Sequence, residues 1–131
     1  MHERVIPGTP DEVWAALAKT PDLWPEGHGS FRLPEGLFEG APVNLIGKTC
    51  RIKTLEPGRK LWFDMGRAMP NGHGFTLTRV EGGTLLRHEV KGPLGPALKI
   101  LWPLIIRKKH DTVLELLLDN IRHEVARTHT S

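Results

Sequence analysis

The chain has one cysteine, no tyrosine and no apolar run long enough to cross a bilayer. The single thiol, Cys50, excludes an intrachain disulfide and favours a reducing compartment. The longest apolar stretch, residues 100–106, is far shorter than the roughly 20 residues of a membrane span, and the first residues contain no apolar signal core. We therefore expect a cytoplasmic protein without stable membrane insertion, with Cys50 as an inert core residue.

A strong excess of charge of one sign is also lacking. The chain has 18 Lys and Arg against 15 Asp and Glu, a formal net charge of +3, and the two signs are interspersed. The one basic run, at residues 107–109, is typical of a solvated helix face rather than a phosphate-binding patch. No basic stripe alternates with aromatic residues, so no nucleic-acid partner is expected.

Length and composition bound the architecture. The 131 residues suit one compact domain spanning 1–131, and the 39% hydrophobic content is typical of a globular chain. The 14 glycines and 11 prolines predict many turns and short elements.

The first quarter of the chain begins with a short strand predicted at 3–6, followed by a helix. Thr9 can cap this helix, Pro10 suits its first position, and Glu12 completes a Thr-x-x-Glu capping box. "TPDLWPEG" predicts a second brief helical turn. Short strands are expected at about 30–33 and 43–46, between closely spaced Gly and Pro residues.

A first hairpin is predicted around Pro57-Gly58, which fits the centre of a type II turn. Folding about this dipeptide pairs three sets of residues on one face of the sheet: Thr54 with Leu61, Ile52 with Phe63, and Cys50 with Met65. The opposite face, which carries Trp62, is mostly polar.

A second hairpin is predicted around Gly82-Gly83, with Leu77 opposite His88 and Phe75 opposite Val90. His73 and Leu86 fall on the same face as these residues. The two hairpins predict an antiparallel sheet with one apolar face, and they direct His88 into the interior.

From Pro96 onward the apolar residues recur with a helical period, at positions 102, 106, 113, 114, 117, 121 and 125. Pro103 is expected to kink or break the helix near its start. His110 lies near the centre of the apolar stripe. The very apolar "ILWPLII" segment favours core packing or a dimer interface over contact with a membrane surface.

Four segments, taken in order, resemble one known superfamily: "TPDEVWAALAKTPDLWP", "LEPGRKLWF", "GGTLLRHEVKG" and the amphipathic C-terminal helix. The chain resembles the START-like superfamily, and within it the polyketide cyclase/dehydrase-like branch of the SRPBCC proteins. The resemblance implies an α+β helix-grip fold, in which a curved antiparallel sheet wraps around a long C-terminal helix and a cavity lies between them. Members of the superfamily bind hydrophobic or aromatic small molecules, lipids among them, or catalyse cyclisation and dehydration.

The predicted pocket wall combines the inner faces of both hairpins with the helix. It consists of Ile52, Phe63, His73, Phe75, Leu77, His88, Val90, Trp102, His110, Leu114 and Leu117. The apolar members would bind a hydrophobic small molecule or lipid by removing it from water, and His88 and His110 would orient a polar group of that ligand.

Three further interpretations stay open. A cavity histidine can exchange a proton near neutral pH, so a cyclase or dehydratase is an alternative. "LEPGRKLWF" is also similar to the co-chaperone branch, the activators of Hsp90 ATPase, which implies an interaction module. A homodimer is left open. The spacing of His73, His88 and His110 matches no known zinc motif, so neither a metal nor a cofactor is predicted.

Overall fold

The computed structural model describes residues 2–92, 95–96, 99 and 107–130. The strands within them are β1 His2–Ile6, β2 Phe31–Arg32, β3 Pro42–Leu45, β4 Lys48–Glu56, β5 Lys60–Asp64, β6 His73–Val80 and β7 Gly83–Val90. The helices are α1 Pro10–Leu17, α2 Thr20–Leu23 and α3 Arg107–Thr130. The predictions for Trp102 and for a kink at Pro103 lie outside the described residues.

The seven strands form one antiparallel sheet in the order β1-β7-β6-β5-β4-β3-β2. Strands β2 to β7 follow one another as a meander, and β1 completes the sheet beside β7. The sheet curls into a half-barrel around α3, as the expected helix-grip fold requires. Within the described residues, no helix combines the length and apolar character that a membrane span needs.

Helix α3 buries the stripe that its sequence period predicts. The buried residues are Val113, Leu114, Leu117, Leu118, Ile121 and Val125. All but Val113 belong to the same core cluster as Ile52, Phe63 and Leu86 of the sheet. The helix therefore joins the concave sheet face in one hydrophobic core.

Helix α1 begins as predicted. The Glu12 backbone N–H donates to Thr9 Oγ1 at 3.2 Å, and the Thr9 N–H donates to Glu12 Oε1 at 2.9 Å. This reciprocal capping box satisfies two of the N–H groups that a helix start leaves unpaired. Val13 and Leu17 are buried and belong to the same core cluster as the sheet and α3, so α1 packs into that core.

The first hairpin is correctly placed but contains an irregularity. Ile52 pairs with Phe63 as expected, whereas Thr54 pairs with Trp62 and Leu55 with Leu61. The register shifts between Ile52 and Thr54, so one extra residue is accommodated in β4. The predicted Thr54–Leu61 pair is wrong, because the shift exchanges the faces of Thr54 and Leu55.

The second hairpin is shifted by two residues from its predicted register. Phe75 pairs with His88, and Leu77 with Leu86. The turn residues are 81 and 82, and Gly83 already pairs with Val80 as the first residue of β7. The predicted partners of Phe75 and Leu77 are therefore wrong. Because side chains alternate with a period of two, every residue keeps its predicted face, and His88 is buried.

Trp62 occupies the convex face of the sheet, on the opposite side from its neighbours Leu61 and Phe63. Its ring lies against the bare backbone of Gly74, and its Nε1–H donates to the Asn71 carbonyl at 2.9 Å. The Lys60 and Lys91 ammonium groups lie 5.2 and 5.3 Å from the ring centroid. Trp62 is consequently buried outside the main core.

Candidate functional site

A cavity of about 270 Å³ lies between the concave sheet face and the first half of α3. Its described wall consists of Trp24, Phe31, Leu45, Ile46, Phe63, Met65, Met69, His73, Phe75, His88, Val90, Lys109, His110, Val113, Leu114 and Leu117. This wall is apolar except for three histidines and Lys109. Such a composition is typical of sites that bind small apolar molecules with a few polar contacts.

The structure brings together most of the residues of the predicted pocket. Those that line the cavity are Phe63, His73, Phe75, His88, Val90, His110, Leu114 and Leu117. Ile52 and Leu77 are buried in the core and are not among the lining residues. Trp102 lies outside the described residues. That these residues bind a ligand stays a prediction.

Sequence reasoning missed the opposite end of the wall. Trp24 follows α2, Phe31 belongs to β2, Leu45 ends β3, and Ile46 follows it in the turn to β4. Frequent Gly and Pro residues hide the hydrophobic period in this part of the chain. Ile46 also has a φ of 50°. A β-branched residue rarely adopts this left-handed conformation, so it could not be expected from the sequence.

Three histidines converge on the cavity from β6, β7 and α3. His73 Nδ1 lies 3.1 Å from His88 Nε2, within hydrogen-bonding distance. The His88 and His110 ring centroids are 5.1 Å apart, and His110 is 5.8 Å from the ring of His2 on β1. Four imidazoles thus form a continuous file from the cavity to the β1–α3 contact.

Aromatic rings extend this file through the opposite wall. His73 stacks on Phe63 at 5.1 Å, Phe63 meets Phe31 edge-on at 5.7 Å, and Phe31 stacks on Trp24 at 5.6 Å. These separations are typical of favourable ring pairs. The imidazoles and these aromatic rings therefore form one continuous series of ring contacts, joined where His73 stacks on Phe63.

Burial keeps the cavity histidines neutral. It lowers the pKa of His73 to about 4, with a smaller contribution from nearby His110. Burial, and then the neighbouring imidazoles, lower the pKa of His88 well below its usual value. The pKa of His110 falls to about 4 through burial and the proximity of His2, although Asp111 opposes this change. At neutral pH these rings can donate and accept hydrogen bonds without carrying charge.

His88 retains an unused hydrogen-bonding atom. Its side chain is buried, and its Nδ1 has no hydrogen-bond partner among the described residues. A buried polar atom without a partner is costly and uncommon in native structures. The His88 side chain also lines the cavity, which places its ring next to any molecule bound there.

A polar network ties β1 to α3 beside the cavity. His2 Nε2 lies 2.7 Å from Asp111 Oδ1, and His2 Nδ1 lies 2.9 Å from Glu115 Oε2. Arg4 donates to Glu115 at 2.9 Å and also pairs with Asp119. His2 was missed at the sequence level because the first strand was predicted to begin one residue later.

Cys50 is not a candidate nucleophile. The side chain is buried, and burial, followed by the negative charge of Asp64, raises the pKa of the thiol to about 11. The reactive form of cysteine is the thiolate, which is scarce under these conditions.

No family profile and no curated protein sequence matches the chain. Solved structures do match it. A protein from Nitrosomonas europaea has 8% identity and a TM-score of 0.65, covering 99% of this chain and 95% of its own. Ara h 8.0201 has 15% identity and a TM-score of 0.57, covering 96% and 95%. An AHSA1-like protein from Aeromonas hydrophila has 14% identity and a TM-score of 0.54, covering 99% and 93%.

This chain has the helix-grip fold. The resemblance to the START-like superfamily is confirmed at the level of the fold, by similarity along almost the whole chain. Structural similarity at sequence identities this low shows a shared fold and not a shared function, because one fold supports many functions. The assignment to the polyketide cyclase/dehydrase-like branch stays a prediction.

Proposed function

We propose that this helix-grip protein binds a small, mostly apolar molecule in the cavity, with one polar group of the molecule hydrogen-bonded to His88. The observation that carries the proposal is the unpartnered Nδ1 of His88 beside an apolar cavity. The apolar wall would supply affinity by removing ligand surface from water. The single polar contact would fix the ligand's orientation.

The size of the cavity supports a compact ligand. A cavity of about 150 Å³ in another protein holds benzene, and the cavity here is about 270 Å³. Typical pockets for larger ligands span roughly 300–1,000 Å³. These volumes favour a molecule of one or two rings over a lipid with long acyl chains.

Two probes of nearly equal shape test the polar contact. 2-Naphthol and 2-methylnaphthalene differ in a hydroxyl against a methyl group. We expect both to bind by calorimetry or ligand-observed NMR, with 2-naphthol favoured about fivefold, the effect of roughly 1 kcal/mol from one hydrogen bond. His88→Leu should remove this preference and keep 2-methylnaphthalene binding.

The control is His123→Gln on the exposed face of α3, which should retain the preference. Val90→Trp, which places a large ring at the cavity wall, should weaken both probes. Equal affinities of the two probes for the unaltered protein would contradict the role of His88. Failure of both probes to bind would instead favour an interaction module with a filled core.

Catalysis is the second candidate, because neutral imidazoles at His73 and His88 can accept a proton inside the cavity. Cyclase or dehydratase chemistry would require turnover that is lost in His88→Gln while probe affinity is kept. A binding protein would show altered affinity and no turnover to lose. The pKa of about 4 at His73 makes its ring a weak base, which favours binding.

A further inference from the structure

Three potential metal-ligand atoms meet where β1 crosses the start of α3. His2, His110 and Asp111 each offer one ligand atom, and all three atoms lie within 4.8 Å of one another. The two histidine side chains are only 15% and 18% exposed, whereas Asp111 is 46% exposed. The group is therefore partly shielded by protein and still open to solvent on one side.

The donor set has a defined chemical preference. Two imidazole nitrogens and one carboxylate oxygen suit divalent transition metals such as Zn²⁺, whereas Mg²⁺ and Ca²⁺ prefer oxygen ligands alone. Zinc binds such ligands at about 2.0–2.2 Å, so its ligand atoms lie roughly 3.3 Å apart. Side-chain rotations that move the three ligand atoms by on the order of 1 Å would bring them to that spacing.

Glu115 supplies the outer support that such a site needs. Its carboxylate lies 2.9 Å from His2 Nδ1, which leaves Nε2 directed toward Asp111 at 2.7 Å. A carboxylate on the second nitrogen is the usual means of orienting a metal-bound histidine. Arg4, paired with both Glu115 and Asp119, holds that carboxylate in place.

The geometry points to a Zn²⁺-type site formed by His2, His110 and Asp111, oriented by Glu115, at the edge of the cavity. Since His110 also lines the cavity, a bound ion would adjoin the ligand chamber. The site goes beyond the proposed function, because binding of an apolar probe requires no metal.

An ion-pair network between β1 and α3 is the competing explanation, and it differs in one respect. The close contacts of that network are those of His2 with Asp111 and Glu115, whereas His110 Nδ1 approaches Asp111 only to 3.8 Å, so its loss should cost the network little. A metal site needs His110 as its second nitrogen ligand. His110→Gln is therefore the decisive variant, and it leaves every contact between His2 and the carboxylates intact.

The experiment uses untagged, chelator-treated protein titrated with Zn²⁺ by calorimetry and with Co²⁺ by visible absorption. We expect one ion per chain and Co²⁺ bands that report nitrogen ligands. Affinity should fall roughly 10- to 100-fold in Glu115→Gln, the usual effect of losing an outer-sphere partner, and at least as much in His110→Gln. His123→Gln, an equal change on the exposed side of the same helix, should bind as the parent does.

Three results would overturn the site: no stoichiometric Zn²⁺ binding, unchanged affinity in His110→Gln, or an equal loss in His123→Gln. Thermal unfolding of each variant identifies those that fail to fold. If Glu115→Gln does not fold, His110→Gln and the Co²⁺ spectrum still test the site. 2-Naphthol binding is measured on the chelator-treated, metal-free protein as well. If 2-naphthol binds while Zn²⁺ does not, the metal site is wrong and the proposed ligand cavity stands.

Discussion

His73 Nδ1 lies 3.1 Å from His88 Nε2, and both imidazoles are buried on the concave face of the sheet. One ring must donate and the other accept, so the pair is stable only while at least one of the two nitrogens carries no proton. The stability of the fold should therefore depend on pH through His73 and His88, which also line the cavity.

We predict that stability falls as pH drops from about 6.5 to about 4. The pKa of His73 is about 4 in the folded chain, against 6.5 in an ordinary environment. Above pH 6.5 both states are neutral and the group has no effect. Between the two values the unfolded chain binds a proton that the folded chain does not, at a cost of roughly 3 kcal/mol that levels off below pH 4.

Urea denaturation at several pH values measures this effect. His73→Gln should flatten the pH dependence between 6.5 and 4, and His123→Gln should leave it as in the parent. His88, faced by His73, His110 and His2, has its own lowered pKa, and the pKa of His110 is also lowered to about 4, so these two residues should retain part of the slope. An undiminished slope in His73→Gln would disprove the assignment to this residue.

Leu117 and Leu116 are neighbours on α3 with opposite environments. Leu117 is 1% exposed and lines the cavity, whereas Leu116 is 39% exposed. Leu117→Ala should lower the unfolding free energy by about 2–5 kcal/mol and admit a three-ring probe. Leu116→Ala should change stability by less than about 0.5 kcal/mol. Equal effects in the two variants, measured by chemical denaturation, would argue against the packing of α3 described above.

Gly74 is required because β5 approaches it closely. A Cβ atom at this position would lie 2.2 Å from the Leu61 carbonyl oxygen and 2.8 Å from Trp62 Cα. Gly74→Ala should destabilise the fold by about 2–3 kcal/mol through forced displacement of the strand. Gly92→Ala is the matched control, because nothing lies within 4 Å of its added Cβ. In thermal unfolding, the midpoint temperature of Gly92→Ala should equal that of the parent protein.

Lys109 is an exposed residue that lines the cavity, so it should influence the charge preference of the ligand. Lys109→Met should reduce the affinity for 2-naphthoate relative to 2-naphthol by up to about fivefold, the range of an exposed charge contact. Added salt should produce the same change in the parent protein. Lys108→Met is exposed and does not line the cavity; an equal response there would exclude a specific effect of Lys109.

The sequence predicted the faces of the strands better than their partners. The observed register begins β7 at Gly83, where only glycine fits, because a Cβ there would lie 2.1 Å from the Ile6 carbonyl oxygen. That close approach of β1 is a tertiary contact, invisible in the hairpin itself. The extra residue near Lys53 is similarly unmarked, since Lys53 and its neighbours alternate normally.

The candidate site was predictable where it depends on periodicity. His88 and Leu117 follow clear strand and helix periods, so their inward direction is fixed locally. Phe31 and Trp24 belong to short elements whose position is set by packing against Phe63 and the rest of the core. His2 reaches Asp111 only because β1 pairs with β7 at the far end of the sheet, and no local pattern encodes that contact.

Trp62 packs against the backbone of two glycines, and this contact restricts which substitutions the chain can accept. Its indole fits because both Gly72 and Gly74 lack side chains, and a Cβ at Gly72 would approach the indole nitrogen to 2.8 Å. Side-chain volume on one strand is thus compensated by its absence on the neighbouring segment. A smaller residue at 62 would not release the two glycines, because a Cβ at 72 or 74 would also lie 2.2 Å from a backbone carbonyl oxygen, that of Phe63 or Leu61. Among descendants of this sequence, glycine at 72 and 74 should therefore persist even where residue 62 changes size.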